Sequence, residues 1–162
     1  MATRWLPRGF AASAGFEHRD FRVRPLTIRD AELDFEAVTA SREHLWSLFG
    51  EAWGWPPEDL DLEQDTIDVA WHQKEAQLTR SYAYAVVSHD ESKVLGCIYL
   101  DPPTRQGYDA EAFWWGRSDQ PGLEEEIGAA AREWIASHWP FERVAFPGRV
   151  EPWEEYRALP AR

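Results

Sequence analysis

Cysteine is almost missing from this sequence, and so is any long apolar run. The single thiol, Cys97, excludes an intramolecular disulfide and a zinc site built from several cysteines. Its setting in Leu95-Gly96-Cys97-Ile98-Tyr99 reads as a buried structural thiol and not as a nucleophile. No stretch approaches the length that a bilayer-spanning helix needs. The opening MATRWLPRGFAASAGF carries basic residues but lacks the sustained apolar core of a signal peptide. A cytoplasmic protein without membrane association is therefore the expectation. Basic charge is scarce as well: 17 Lys and Arg face 29 Asp and Glu, for a net charge of −12. That field opposes polyanions, which argues against nucleic acid as a partner; it either favours a cationic substrate such as an amine or serves solubility alone. The histidines, His18, His44, His72, His89 and His138, show no metal-ligand spacing, so no metal is expected. No G-x-S-x-G elbow, P-loop or G-x-G-x-x-G fingerprint occurs, which leaves hydrolase, P-loop and Rossmann readings without their minimum signals.

What is present is the composition of one folded domain. The 162 residues are long enough to enclose a core without disulfides, and a 44% hydrophobic, 28% charged composition is that of a globular chain. Ten tryptophans supply large flat surfaces for a core, a pocket wall or a subunit contact.

Along the chain, residues 1–20 mix Gly, Ala, Pro, Arg and isolated aromatics without period and read as an arm packed loosely on the domain or on a partner. Residues 21–27 alternate as a half-buried strand. Ala31, Phe35, Val38, Leu45 and Phe49 recur at helical spacing, which predicts one helix over 28–49 with Thr27 or Asp30 as its cap. Gly50 and Gly54-Trp55-Pro56-Pro57 break it. A second helix is expected over 58–79, its buried stripe made by Leu60, Ile67, Ala70, Trp71 and Leu78. Residues 81–88 and 93–100 read as an antiparallel hairpin, with Asp101-Pro102-Pro103 ending it. A further strand follows over 108–117, then a helix carrying Leu123, Ile127, Ala131, Trp134 and His138 on one face, a strand over 142–146 and a short helix over 151–159.

The order strand, two helices, three strands, helix, strand, short helix, together with Arg24-Pro25-Leu26-Thr27-Ile28-Arg29-Asp30, resembles the GNAT acetyltransferase superfamily, whose chains often open with an R-P-L-T-x-x-D-like stretch. The likeness covers residues 21–149 as one acyltransferase domain, with 150–162 as a tail or short helix. It implies an α/β (α+β) fold: a mixed, mostly antiparallel sheet flanked by helices. It also implies that the family's fourth and fifth strands, here 108–117 and 142–146, splay apart around coenzyme A, making acetyl-CoA the cosubstrate. Trp114, Trp115 and Gly116 would line the pantetheine arm.

In the family a loop patterned Q/R-x-x-G-x-G/A opens the helix after the fourth strand and holds the pyrophosphate on backbone N–H groups and the helix dipole. Aligned on Glu126-Ile127-Gly128, the six positions read Leu123-Glu124-Glu125-Glu126-Ile127-Gly128, and only Gly128 matches. Gln120-Pro121-Gly122 is the alternative loop. The implied cofactor-binding residues are thus Gly122, Leu123, Ile127 and Gly128. Two readings of the three acids stay open. They repel a pyrophosphate, or they are dipole partners standing where the phosphate would.

By position the resemblance makes Glu111 the base and Tyr156 the acid of acetyl transfer, with Trp53 and Trp55 at the acceptor wall; a solvent-facing strand glutamate and a hydrophobic plug over the helices are the other readings of Glu111 and of the two tryptophans. The implied function is N-acetylation of a small-molecule or protein amine. A noncatalytic GNAT-like binding module and a tryptophan-rich oligomerising protein are the alternatives. The chain after the fifth strand is short for the family, leaving an edge and a half-open cleft to be covered, and a homodimer is the expected cover.

Overall fold

A computed structural model describes residues 5–162. Phe16–Glu17 (β1) and Arg22–Pro25 (β2) lead through a 3-10 turn at Ile28–Asp30 into Ala31–Ala40 (α1), Arg42–Trp53 (α2) and Leu62–Gln77 (α3). Tyr82–Val87 (β3), Val94–Asp101 (β4) and Ala110–Gly116 (β5) follow, then Leu123–His138 (α4), Val144–Ala145 (β6) and Trp153–Ala158 (α5). The six strands lie in chain order across one sheet. Every neighbouring pair is antiparallel except β5 and β6, which run parallel. This is the mixed, mostly antiparallel GNAT-like sheet that the sequence predicts, with one extra edge strand, β1, drawn from the expected arm.

Strands β3, β4 and β5 are buried nearly throughout because helices cover both faces. The period of two divides their side chains cleanly. Tyr84, Val86, Ile98, Leu100, Ala112 and Trp114 face α4 and the N-terminal arm. Ala83, Ala85, Cys97, Phe113 and Trp115 face α1, α2 and α3. The arm packs more closely than expected: Leu6 is buried, Trp5 stacks on Phe141 at 5.4 Å, and Ser13 accepts hydrogen bonds from Tyr84 Oη (2.6 Å) and Trp134 Nε1 (3.0 Å). Residues 1–4 of that arm lie outside the described residues.

The helix expected over 28–49 is two helices. Ser41, at φ −120° and ψ 19°, leaves helical geometry, and its hydroxyl accepts the Ser118 N–H at 2.9 Å, so a tie to the loop after β5 replaces a helix interior. The stripe expected on α3 is largely reversed. Ile67, Trp71 and Leu78 are exposed, whereas Asp65 and Glu75 are buried beside Val69. His138 is exposed, not part of the buried face of α4.

Candidate active site

Strand β5 has a partner on its β6 side over two positions only, Ala110 with Val144 and Glu111 with Ala145. Beyond Glu111 that edge is met by a side chain instead of a strand. Arg149 Nη2 donates to the Trp114 carbonyl at 2.7 Å, and its guanidinium lies over the Trp114 ring at 5.0 Å. Arg149 Nη1 donates to Glu124 Oε2 at 3.1 Å. The other carboxylate oxygen, Oε1, takes the Gly116 N–H at 3.1 Å and meets His44 Nε2 at 2.7 Å. Burial opposes the charge on Glu124, but its hydrogen bonds to Arg149 and His44 outweigh that and hold its carboxyl below the ordinary range.

This is a built anion site. A backbone N–H, a guanidinium and an imidazole converge in the first turn of α4, where the helix dipole also favours negative charge. The anion in it is the chain's own Glu124. Gly116 makes the approach possible: a Cβ there would stand 2.9 Å from the Glu124 Cα. Gly122, at φ 82°, caps the helix start in the left-handed region that glycine occupies freely.

The remaining residues aligned to the pyrophosphate loop are inside α4. Leu123 and Ile127 point into the core, and Gly128 makes room for the Trp114 ring, which a Cβ would approach to 2.6 Å. The loop itself is 117–122, Arg117-Ser118-Asp119-Gln120-Pro121-Gly122. It keeps the first and last residues of the family pattern and replaces the middle glycine with Gln120. Arg117 turns inward, 3% exposed, and pairs with Glu36 and Asp119. Trp114 and Trp115 lie on opposite faces, both buried, and Trp115 Nε1 donates to Tyr99 Oη at 3.0 Å.

The structure brings Glu111 and Tyr156 together at the fork. Tyr156 Oη donates to Glu111 Oε2, which also accepts the Thr104 N–H at 3.1 Å and hydroxyl at 3.0 Å. Burial and the Glu111 carboxylate push the Tyr156 phenol well above its ordinary value, so it keeps its proton. Trp153, on α5, stacks on Phe113 at 5.8 Å and closes this side of the fork.

Glu111 also lines a cavity of about 780 Å³ between α2, α3 and the face of β4, within the range of small-molecule sites. Trp53 and Trp55 form part of its wall with Trp71, His72 and Tyr99. Six carboxylic side chains line it against Arg80 and His72. Asp65, Asp68, His72 and Glu75 recur three or four residues apart and share one face of α3.

Three acids of this cavity escape a reading by motif. Asp101, read as a strand terminator, is the register partner of Glu111. Burial and the Glu111 charge push its carboxyl up to about 7. Asp34 is raised well above the carboxylate range by burial and by facing Asp65, while Cys97 Sγ donates to its Oδ1 at 3.7 Å. The available signal was the conflict on α3, whose acids and apolar residues compete for the same buried face.

No protein-family model and no curated protein matches the sequence. Solved structures do. A ribosomal-protein-S5-alanine acetyltransferase from Vibrio fischeri superposes with a TM-score of 0.63 at 17% identity, over 90% of this chain and 81% of that one. The microcin C7 self-immunity acetyltransferase MccE, in complex with acetyl-CoA and AMP, gives 0.55 at 11% identity over 78% and 69%. An acetyltransferase from Thermus thermophilus gives 0.53 at 21% over 72% and 68%. At such identities the likeness is one of fold, and the fold is that of the GNAT acetyltransferases.

Proposed function

We propose that the protein is an N-acetyltransferase moving an acetyl group from acetyl-CoA to the amine of a small molecule or protein. One observation carries the reading: Asp101 and Glu111, register partners, stand together in an acidic cavity at the point where β5 loses its strand partner. That the neighbouring folds belong to acetyltransferases, one of them solved with acetyl-CoA, supports it.

Acetyl-CoA supplies the activated acetyl thioester. The donors at the start of α4, Gly116 N–H and Arg149 above all, suit its pyrophosphate in type, and Glu124 must leave them for it to enter. The acidic cavity draws in the ammonium form of the acceptor. Asp101, with a carboxyl near neutrality, takes the proton that makes the amine nucleophilic. As the N–C bond forms and the C–S bond breaks, Tyr156 is the proton donor available to the departing thiolate. Glu111 fixes the Tyr156 hydroxyl and adds to the field around Asp101.

Turnover of acetyl-CoA over an amine panel, followed by thiol release, tests the reading. Release that depends on amine and collapses in Asp101→Asn is expected; no release with any amine sinks it. Glu124 in the anion site favours a second reading, a noncatalytic module, and calorimetry separates the two, since that module leaves acetyl-CoA unbound. The reading includes a cytoplasmic homodimer. The exposed Ile67 and Trp71 of α3 and Leu78 at its C-terminal end are apolar surface for such a contact, and sedimentation measures it.

A further inference from the structure

Two carboxyl pairs sit in one cavity, and neither has a cation among the described residues. At the inner end the carboxyl groups of Asp34 on α1 and Asp65 on α3 face each other. Asp65 is 2% exposed and lines the cavity, yet its Oδ2 has no partner among the described residues. A buried acceptor left unpaired in a native fold calls for a partner, and in a cavity wall that partner can be a ligand. At the other end Asp101 faces Glu111.

The basic groups of the wall do not neutralise these pairs. Arg80 is engaged with Glu75 at 3.5 Å, and burial lowers the His72 imidazole, favouring its neutral form. Between the two ends the wall is aromatic. His72 stacks on Tyr99 at 5.3 Å, and Trp53 and Trp71 complete it. Such faces attract ammonium groups and pack against methylene chains.

Strand β4 sets the length. Asp34 is tied to Cys97 and the outer pair to Asp101, four residues along the same strand, a span of about 13 Å at the usual rise. We infer that the cavity selects an elongated aliphatic dication, a free α,ω-diamine, with one ammonium held by Asp34 and Asp65 and the other presented at Asp101 and Glu111. The acetyl-accepting role of the second nitrogen rests on the function proposed above; the binding does not.

The test is a ladder of α,ω-diaminoalkanes of increasing length beside the matching monoamines, titrated without acetyl-CoA by calorimetry and tryptophan fluorescence. Diamines of matching length should bind roughly tenfold or more tightly than monoamines, from the second charge-assisted contact. Asp65→Asn should erase that preference while Trp53 and Trp71 still report binding. Equal affinity for the two series overturns the inference, as does a preference unaltered in Asp65→Asn, or binding by a lysine-bearing peptide but by no free diamine. Should the variant misfold, the wild-type ladder still decides. Diamine selectivity without acetyl transfer leaves the inference standing and removes the transferase reading; transfer to monoamines with no diamine preference does the reverse.

Discussion

Tyr156 and Glu111, 45 residues apart, share a buried hydrogen bond at the fork of the sheet. Phenylalanine fills the volume of Tyr156 and deletes only this donor, while Thr104 keeps its two bonds to Glu111. Tyr156→Phe is expected to lower kcat on the order of a hundredfold, as loss of a general acid does. The stability cost should be about 1 kcal/mol. Saturating kinetics and thermal melts on the same preparation check both, and an unchanged kcat would reduce Tyr156 to a structural role.

Asp101 ties the fold to pH in an unusual direction. Its folded pKa of about 7 lies above the value of about 4 for a free carboxyl, so between these limits the native state holds the proton that the unfolded state releases. Stability from this group is therefore full at the acid end of the window and is lost as pH rises through 7. Buried Asp34 pulls the same way. Asp101→Asn should flatten the decline in Tm across that window and gain over wild type above it. Parallel Tm curves would contradict the assignment. In wild type, kcat/KM should rise through the same pKa as the carboxylate forms.

Glu124 trades stability against ligand. Glu124→Ala frees Gly116 N–H and Arg149 but leaves the guanidinium without its carboxylate. The variant should lose about 2 kcal/mol of stability. Its affinity for acetyl-CoA should rise roughly tenfold or more, because the competent state no longer has to be opened. Calorimetry with acetyl-CoA and with desulfo-CoA reads the second effect, and equal affinities in variant and wild type would show that Glu124 does not compete.

Cys97 should be chemically silent. Its thiol is fully buried, and burial together with Asp34 raises it well above the usual value, so little thiolate forms. An aromatic disulfide reagent should modify it only at the rate of unfolding. Rapid modification of the native protein would mean that the Asp34 end of the cavity is open to bulk solvent.

Much of the fold was legible because local pattern and burial agree in it. Strands β3 to β5 alternate or run apolar, Gly122 stops the chain before α4, and the acids of the first turn of α4 follow the dipole. Glu111 and Tyr156 were reachable only through resemblance, since nothing in spacing joins residues 45 apart. Asp34 and Asp101 carried no signal of their own, and Asp65 only the mismatch between the acids and the apolar residues of α3. A helix is expected to bury Ile67 and Trp71 and to expose Asp65, and α3 does the opposite, accepting a local cost that only the tertiary cavity explains. The single helix expected over 28–49 failed for a similar reason, because Ser41 is held by Ser118 far along the chain.

If acetyl-CoA enters as proposed, the carboxylate of Glu124 is also a filter. A competitor tethered in its own binding site keeps a fixed effective concentration that dilution cannot lower. A small monovalent anion offers Gly116, Arg149 and the start of α4 no more charge than Glu124 already provides, so it gains little by exchange. A ligand bearing several linked phosphates offers more charge and more acceptors than the side chain it displaces. Under the function proposed above, the same residue that weakens the site makes it discriminate by valence, favouring linked phosphates over monovalent anions.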